Sequence, residues 1–198
     1  MIEVELKSVV DDLSRRRAAI EAAGATLTFE GHLADRRYDT PELTLAARDH
    51  VLRVRTYSGG ASTPRVELDW KGPTQREDGY KMREELGVRV GEADDLDAML
   101  DRLGYIVTIA IDREIAQYDL AGAMIRFERY PRMDDLIEVE GSPEQIERAI
   151  AALGLPRAGF TSERLPEFVR RFEARTGTAA ALSDGELRGD VHYDAANA

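Results

Sequence analysis

The chain contains no cysteine, which excludes disulfides, zinc–cysteine sites, iron–sulfur clusters and thiol nucleophiles together. Its three histidines, His32, His50 and His192, are too scattered for a metal motif. Any metal would therefore take oxygen ligands, which favours magnesium, manganese or calcium over zinc. No apolar run approaches the roughly 18 residues of a membrane span, and the N-terminus lacks the basic-then-apolar layout of a signal peptide. The expectation is a cytoplasmic protein with no membrane partner. Neither GxxxxGK(S/T) nor GxGxxG occurs, so a P-loop or a Rossmann phosphate turn is not available. A Ser-His-Asp set for acyl chemistry is missing as well. Basic excess is also absent: a net charge of -11 argues against non-specific nucleic-acid binding.

What the chain does have is a repeat. Ile2-Glu3-Val4-Glu5 recurs as Ile137-Glu138-Val139-Glu140. If extended, each copy puts two carboxylates on one face and aliphatics on the other, and a helical pattern follows each. After the first copy, Asp11-Asp12 can cap a helix to about residue 23, stopped by Gly24. Residues 26–30 read as a strand, and residues 35–41 as a strand end running into a turn at Pro41. Residues 42–50 read as loop or a short turn of helix. Residues 51–57 alternate, with Arg53 and Arg55 on one side; residues 58–62 look like a hairpin tip, and residues 65–71 return with Arg65, Glu67, Asp69 and Lys71 on one face. A strand over 81–90, a helix over 92–103, extended segments over 105–117 and 124–130, a proline-opened capping-box helix over 142–153 and a last helix over 166–175 complete the pattern. Residues 178–198 are small, polar and acidic, without periodicity, and read as a mobile tail or an appended arm.

At 198 residues this is one domain able to bury a real core. Strand after strand carries charge of both signs on one face. Those faces could all be outside, on a conventional half-solvated sheet. Alternatively the sheet closes into a barrel with a polar lumen and outward apolar faces covered by helices. A charged lumen is costly unless its charges are paired or ligated, so such an interior would exist for a ligand. Clustered carboxylates call for a cation, with Glu3, Glu5, Glu128, Glu138 and Glu140 the candidates. Arginine and lysine from other strands would cradle a polyanion bridged by that metal. There are only three lysines, Lys7, Lys71 and Lys81.

In this pattern the chain resembles the CYTH group of triphosphate tunnel metalloenzymes, which includes class IV adenylate cyclases and thiamine triphosphatases. The resemblance rests on Glu3-Val4-Glu5-Leu6-Lys7 as ExExK, Leu52-Arg53-Val54-Arg55 as LRxR, Lys71-Gly72-Pro73 as KGP, Arg83-Glu84-Glu85 as REE, Arg113 as the arginine of KxR, and Ile137 to Gly141 as the late EIEG. It implies an α+β fold: an eight-stranded antiparallel closed barrel over residues 1–177 with a charged lumen and flanking helices, leaving 178–198 as the tail. It also implies magnesium or manganese on Glu3, Glu5, Glu138 and Glu140, with Glu128 where the family often has aspartate. Phosphate contacts would come from Lys7, Arg53, Arg55, Lys71, Arg83 and Arg113, of which Lys7, Arg53 and Arg113 would act in catalysis. The partner would be a triphosphate-containing small molecule; a homodimer is a family-based expectation.

Three positions depart from the family pattern. Ile111 replaces the lysine of KxR and removes a cation from the lumen. Arg37-Tyr38 stands where an aromatic pair is common, and Asp69, where threonine is usual, adds an acid beside Lys71. No motif claims Lys81, Arg65 or Arg126. Three functions follow: hydrolysis of the terminal phosphate of a nucleoside, thiamine or inorganic triphosphate; cyclisation of ATP to cyclic AMP and pyrophosphate; and non-catalytic triphosphate or polyphosphate binding.

Overall fold

In a computed structural model the protein is described over residues 2–59 and 64–194. Residues 60–62 of the expected hairpin tip lie outside the described residues. Alternating segments become β1 (Ile2–Val9), β2 (Thr26–Asp39), β3 (Val51–Ser58), β4 (Arg65–Lys71), β5 (Gln75–Glu77), β6 (Tyr80–Val90), β7 (Ile106–Leu120), β8 (Ala123–Arg129) and β9 (Leu136–Glu140). The pairing order is β1-β9-β8-β7-β2-β3-β4-β6, and β6 returns to pair with β1. Every pairing is antiparallel. Eight strands thus close on themselves, and β5 adds a short ribbon beside β6.

Closure decides which face is the interior. The helices α1 (Leu13–Ala22) and α3 (Pro143–Leu153) cover the outward aliphatics of β1, β7, β8 and β9, placing Leu6, Tyr118, Ile125, Ile137 and Val139 against Ile20, Ile146 and Ile150. α2 (Ala93–Arg102) sets Leu96 and Leu100 on Tyr38, Val54 and Val66. The apolar half of each alternating strand therefore faces helices, and the charged half faces the lumen. The expected capping box is present at Ser142 and Gln145. At the other end of α3, Arg16 donates to the carbonyls of Leu153 and Gly154, both at 3.0 Å, satisfying acceptors that the helix leaves open.

Three local expectations change. The two pieces expected over 26–41 are one strand, because β2 runs unbroken beside β7 with irregularities between Leu27 and Phe29 and between Arg37 and Tyr38. Its crossing with β3 needs Gly31, where a Cβ would stand 2.5 Å from the Ser58 carbonyl oxygen. Ile111 points inward as expected, but packs with Ile109, Leu136 and the Leu165 and Phe168 of α4 (Leu165–Thr176), forming an apolar floor at one end of the lumen.

The third concerns the C-terminal stretch, where of the two alternatives the appended arm describes residues 178–194, which are seated on the barrel. Ala181 pairs by backbone with Arg132, the Leu182 carbonyl accepts from Asp112 N at 2.8 Å, and α5 (Asp184–Arg188) opens on a capping box from Ser183. Among the described residues no helix is long and apolar enough to cross a membrane. Since Leu182 is only 3% exposed, Leu182→Ala should cost about 2–4 kcal/mol, read from chemical denaturation; a cost near zero would show the segment to be unattached.

Candidate active site

Register brings the two acidic strands together. On β1 and β9, Glu5 stands opposite Glu140 and Lys7 opposite Glu138, while on β6 Lys81 stands opposite Glu5 and Arg83 opposite Glu3. Glu3, Glu5, Glu138 and Glu140 each offer an oxygen within 4.8 Å of the others. Four carboxylates this close repel one another, and the lumen resolves the repulsion unevenly. Burial would raise Glu138, yet Arg126 at 2.9 Å and Lys7 at 3.1 Å hold it well below the usual carboxylate range. Burial likewise opposes ionisation of Glu3, and Lys71 at 2.5 Å outweighs it. Glu140 goes the other way: burial, then the charges of Glu138 and Glu3, push it well above its ordinary value, with Arg126 no closer than 3.7 Å. An oxygen-donor quartet with one uncompensated member fits a hard divalent cation.

Glu128 is not part of that quartet. It is fully buried, accepting from Arg113 at 2.7 Å, from Arg126 at 3.1 Å and from the Tyr130 hydroxyl at 2.6 Å. It is an anchor for two cations.

The six expected phosphate contacts all lie on inward faces, and each is held by an acid or a carbonyl. Lys7 spans Glu5 and Glu138, both at 3.1 Å. Arg53 touches Asp35, Asp69 and Glu85, and Arg55 binds Asp69. Asp69 therefore faces the two arginines, and Lys71 turns instead to Glu3 and Glu85. Arg83 donates to the carbonyls of Gly72 and Asp49, both at 2.6 Å. Arg113 bridges Glu128 and Asp35. Four further cations border the cavity that no motif pointed to: Arg37, Lys81, which is bonded to Glu5, Arg126 and Arg164. Strand parity carried the signal for Lys81, which shares a face with Arg83, and for Arg126, which shares one with Glu128. Arg65, by contrast, lies over the Tyr57 ring, 4.0 Å from its centroid.

Charge is segregated along the lumen. The inner cavity, about 170 Å³, is bordered by Lys7, Arg37, Arg53, Lys71, Lys81, Arg83, Arg113, Arg126 and Arg164 against only Glu5, Asp35, Asp49 and Glu138 among acids. Arg37 records the excess: burial pushes it down to about 10, with Arg53, Arg113 and Arg83 adding to the effect against Asp35. A second opening has the reverse balance, with Glu3, Asp69, Glu85 and Glu140 against Arg55 and Arg126. The cavity suits an anion, and the carboxylate end suits a cation.

Comparison with solved structures agrees with this architecture. A "putative adenylate cyclase" from Vibrio parahaemolyticus superposes with a TM-score of 0.71 at 20% identity, covering 86% of this chain and 98% of its own. A protein of Pyrococcus horikoshii OT3 gives 0.69 at 22%, covering 85% and 98%. A "putative adenylyl cyclase" from Hippeastrum, whose description adds a dominant triphosphatase activity, gives 0.60 at 16%, covering 92% and 98%. A search of curated proteins finds no match. The model of the CYTH domain matches residues 1–150, and the chain belongs to the CYTH domain family.

Proposed function

We propose that the protein hydrolyses the terminal phosphate of a small triphosphate, with a divalent cation, magnesium or manganese, held by Glu3, Glu5, Glu138 and Glu140. The observation that carries this reading is the meeting, in one lumen, of a carboxylate quartet and a cavity crowded with guanidinium and ammonium groups. Phosphoryl transfer needs little covalent help from a protein; it needs charge stabilisation and alignment. Lys7 stands where the two zones meet, touching both Glu5 and Glu138, and is placed to follow charge from the attacked phosphorus to the cation. Arg53 and Arg113, joined through Asp35, would neutralise the equatorial oxygens, and Arg83 and Lys71 the remaining phosphates. A cation held by Glu3, Glu5, Glu138 and Glu140 would supply positive charge against what develops on the leaving group. Water attacks the terminal phosphorus, and one P–O bond forms as the bridging P–O bond breaks; the shortened chain leaves with the bridging oxygen, and the terminal phosphoryl group, carrying the oxygen and protons of the water, is released as orthophosphate.

What favours hydrolysis of a triphosphate over cyclisation of a nucleotide is the lining of the cavity, which offers charge for phosphates and few flat surfaces for a base. Among its lining residues the aromatic rings are His50 and Tyr130, and the Tyr130 hydroxyl is committed to Glu128. Incubation with inorganic triphosphate, thiamine triphosphate or ATP, each with magnesium or manganese, should release orthophosphate. Cyclic AMP with pyrophosphate would overturn the hydrolase reading, and binding without turnover of any of the three would overturn an enzymatic role.

The cation site has its own test in Glu140→Gln. A carboxyl whose folded pKa is raised above its unfolded value of 4.5 opposes folding once pH exceeds that value. The variant should therefore be at least as stable as the native protein at pH 7 without metal, a gain that vanishes below about pH 4, where the native carboxyl is protonated in both states. Its turnover should fall about hundredfold, and its stabilisation by manganese should shrink. Unchanged turnover and unchanged manganese stabilisation would remove Glu140 from the site.

A further inference from the structure

Asp69 reaches into the lumen from β4 and is 3% exposed. Its Oδ2 accepts from Arg55 Nε at 2.5 Å and lies 3.4 Å from Arg53 Nε. Gly87 stands opposite it on β6, and a Cβ built there would lie 2.7 Å from Asp69 Oδ1. The carboxylate has its place because β6 carries no side chain at that register. The consequence for the two arginines is unequal. Arg53 also borders the inner cavity, whereas Arg55 borders the carboxylate opening.

We propose that Asp69 is a specificity-determining positioning residue, an internal counter-anion that competes with substrate phosphate for Arg55 and Arg53. The inference rests on the reading of the lumen as a triphosphate site. A carboxylate offers a guanidinium the same kind of oxygen acceptor as a phosphate; Asp69 holds Arg55 at Nε while Nη2 lies 3.5 Å from Glu67 and 3.8 Å from Glu85, so a phosphate gains Arg55 Nε only where Asp69 gives it up. The apparent affinity of any phosphate that depends on Arg55 is then reduced by the fraction of molecules in which Asp69 has let go. A triphosphate, which reaches several other cations at once, binds with Arg55 still on Asp69 and escapes that reduction; a diphosphate or orthophosphate, which reaches fewer, depends on Arg55 and takes it in full. Asp69 therefore discriminates by chain length.

The test is calorimetric titration of inorganic triphosphate, pyrophosphate and orthophosphate into the full chain without added metal, comparing the native protein with Asp69→Asn and Asp69→Ser. If Asp69 holds Arg55 nine-tenths of the time, its removal tightens pyrophosphate binding about tenfold, and triphosphate binding by less, so the preference for the longer chain narrows. Thermal melting provides a readout that a structural role would not produce. Without ligand the variants melt lower, because two buried guanidiniums lose an anion, yet the upward shift on adding pyrophosphate is larger than in the native protein. Unchanged or weaker pyrophosphate binding in both variants, with triphosphate still bound by the native protein, overturns the role of Asp69 alone. Failure of the native protein to bind triphosphate overturns the site and this role with it.

Discussion

Everything in this molecule depends on ion pairs made across the inside of a closed sheet. A barrel interior of this size is ordinarily filled by aliphatic side chains; here the aliphatics have been turned outward to α1, α2 and α3, and the interior holds carboxylates, guanidiniums and ammoniums. Removing such charges from water costs several kcal/mol per ion unless each finds a partner. The barrel meets that condition by register. Antiparallel pairing of β1 with β9 and with β6 sets Lys7 opposite Glu138 and Lys81 opposite Glu5, and pairing of β3 with β4 sets Arg53 opposite Asp69. Slipping any of these strands by one residue would turn the charges into the helices and the aliphatics into the lumen. Register, closure and charge pairing are therefore one constraint.

Pairing is complete enough to hold the fold and uneven enough to leave something over. Glu128 is saturated by Arg113, Arg126 and Tyr130; Glu140 is not, and its carboxyl resists ionisation. At the other end of the same lumen, burial, with Arg53, Arg113 and Arg83 adding to it, lowers Arg37 from the usual guanidinium range. Residual anion at one end and residual cation at the other give a complementary polarity for a metal–phosphate pair. The apolar floor of Ile109, Ile111, Leu136 and α4 bounds this charged space.

Much of this was legible because alternation has a period of two. Once residues 2–7 and 136–140 are extended, the glutamates of each copy share a face, and the same parity groups Arg53 with Arg55 and Asp69 with Lys71; pairing of β1 with β9 and closure of the barrel then bring these faces together inside. Parity does not say which inward residues meet. Sequence proximity sets Asp69 beside Lys71, whereas the pairing of β3 with β4 turns it to Arg53 and Arg55 across the ladder. Charge and the resemblance both group Glu128 with the other glutamates; its position at the end of β8, flanked by Arg126 and Tyr130 and within reach of Arg113, gives it to the cations. Lys81 and Arg126 were passed over because no motif contains them, although their parity was already informative.

The C-terminal arm and the long second strand are hard to read locally for a different reason. Residues 31–37 break the alternation with glycine, histidine and two adjacent arginines, yet β2 continues because its two neighbours supply a complete ladder on both edges. Arg36 and Arg37 then fall on opposite faces: Arg36 reaches outward to Asp112 at 2.7 Å, and Arg37 reaches into the cavity. Asp112 in turn accepts from the backbone of Asp184 at 3.0 Å, so the irregular stretch of β2 and the aperiodic C-terminal segment meet at one outward carboxylate. Neither has a strong local preference. Each is ordered by long-range partners that a sliding window along the sequence cannot see, and each of those partners exists only after the barrel has closed.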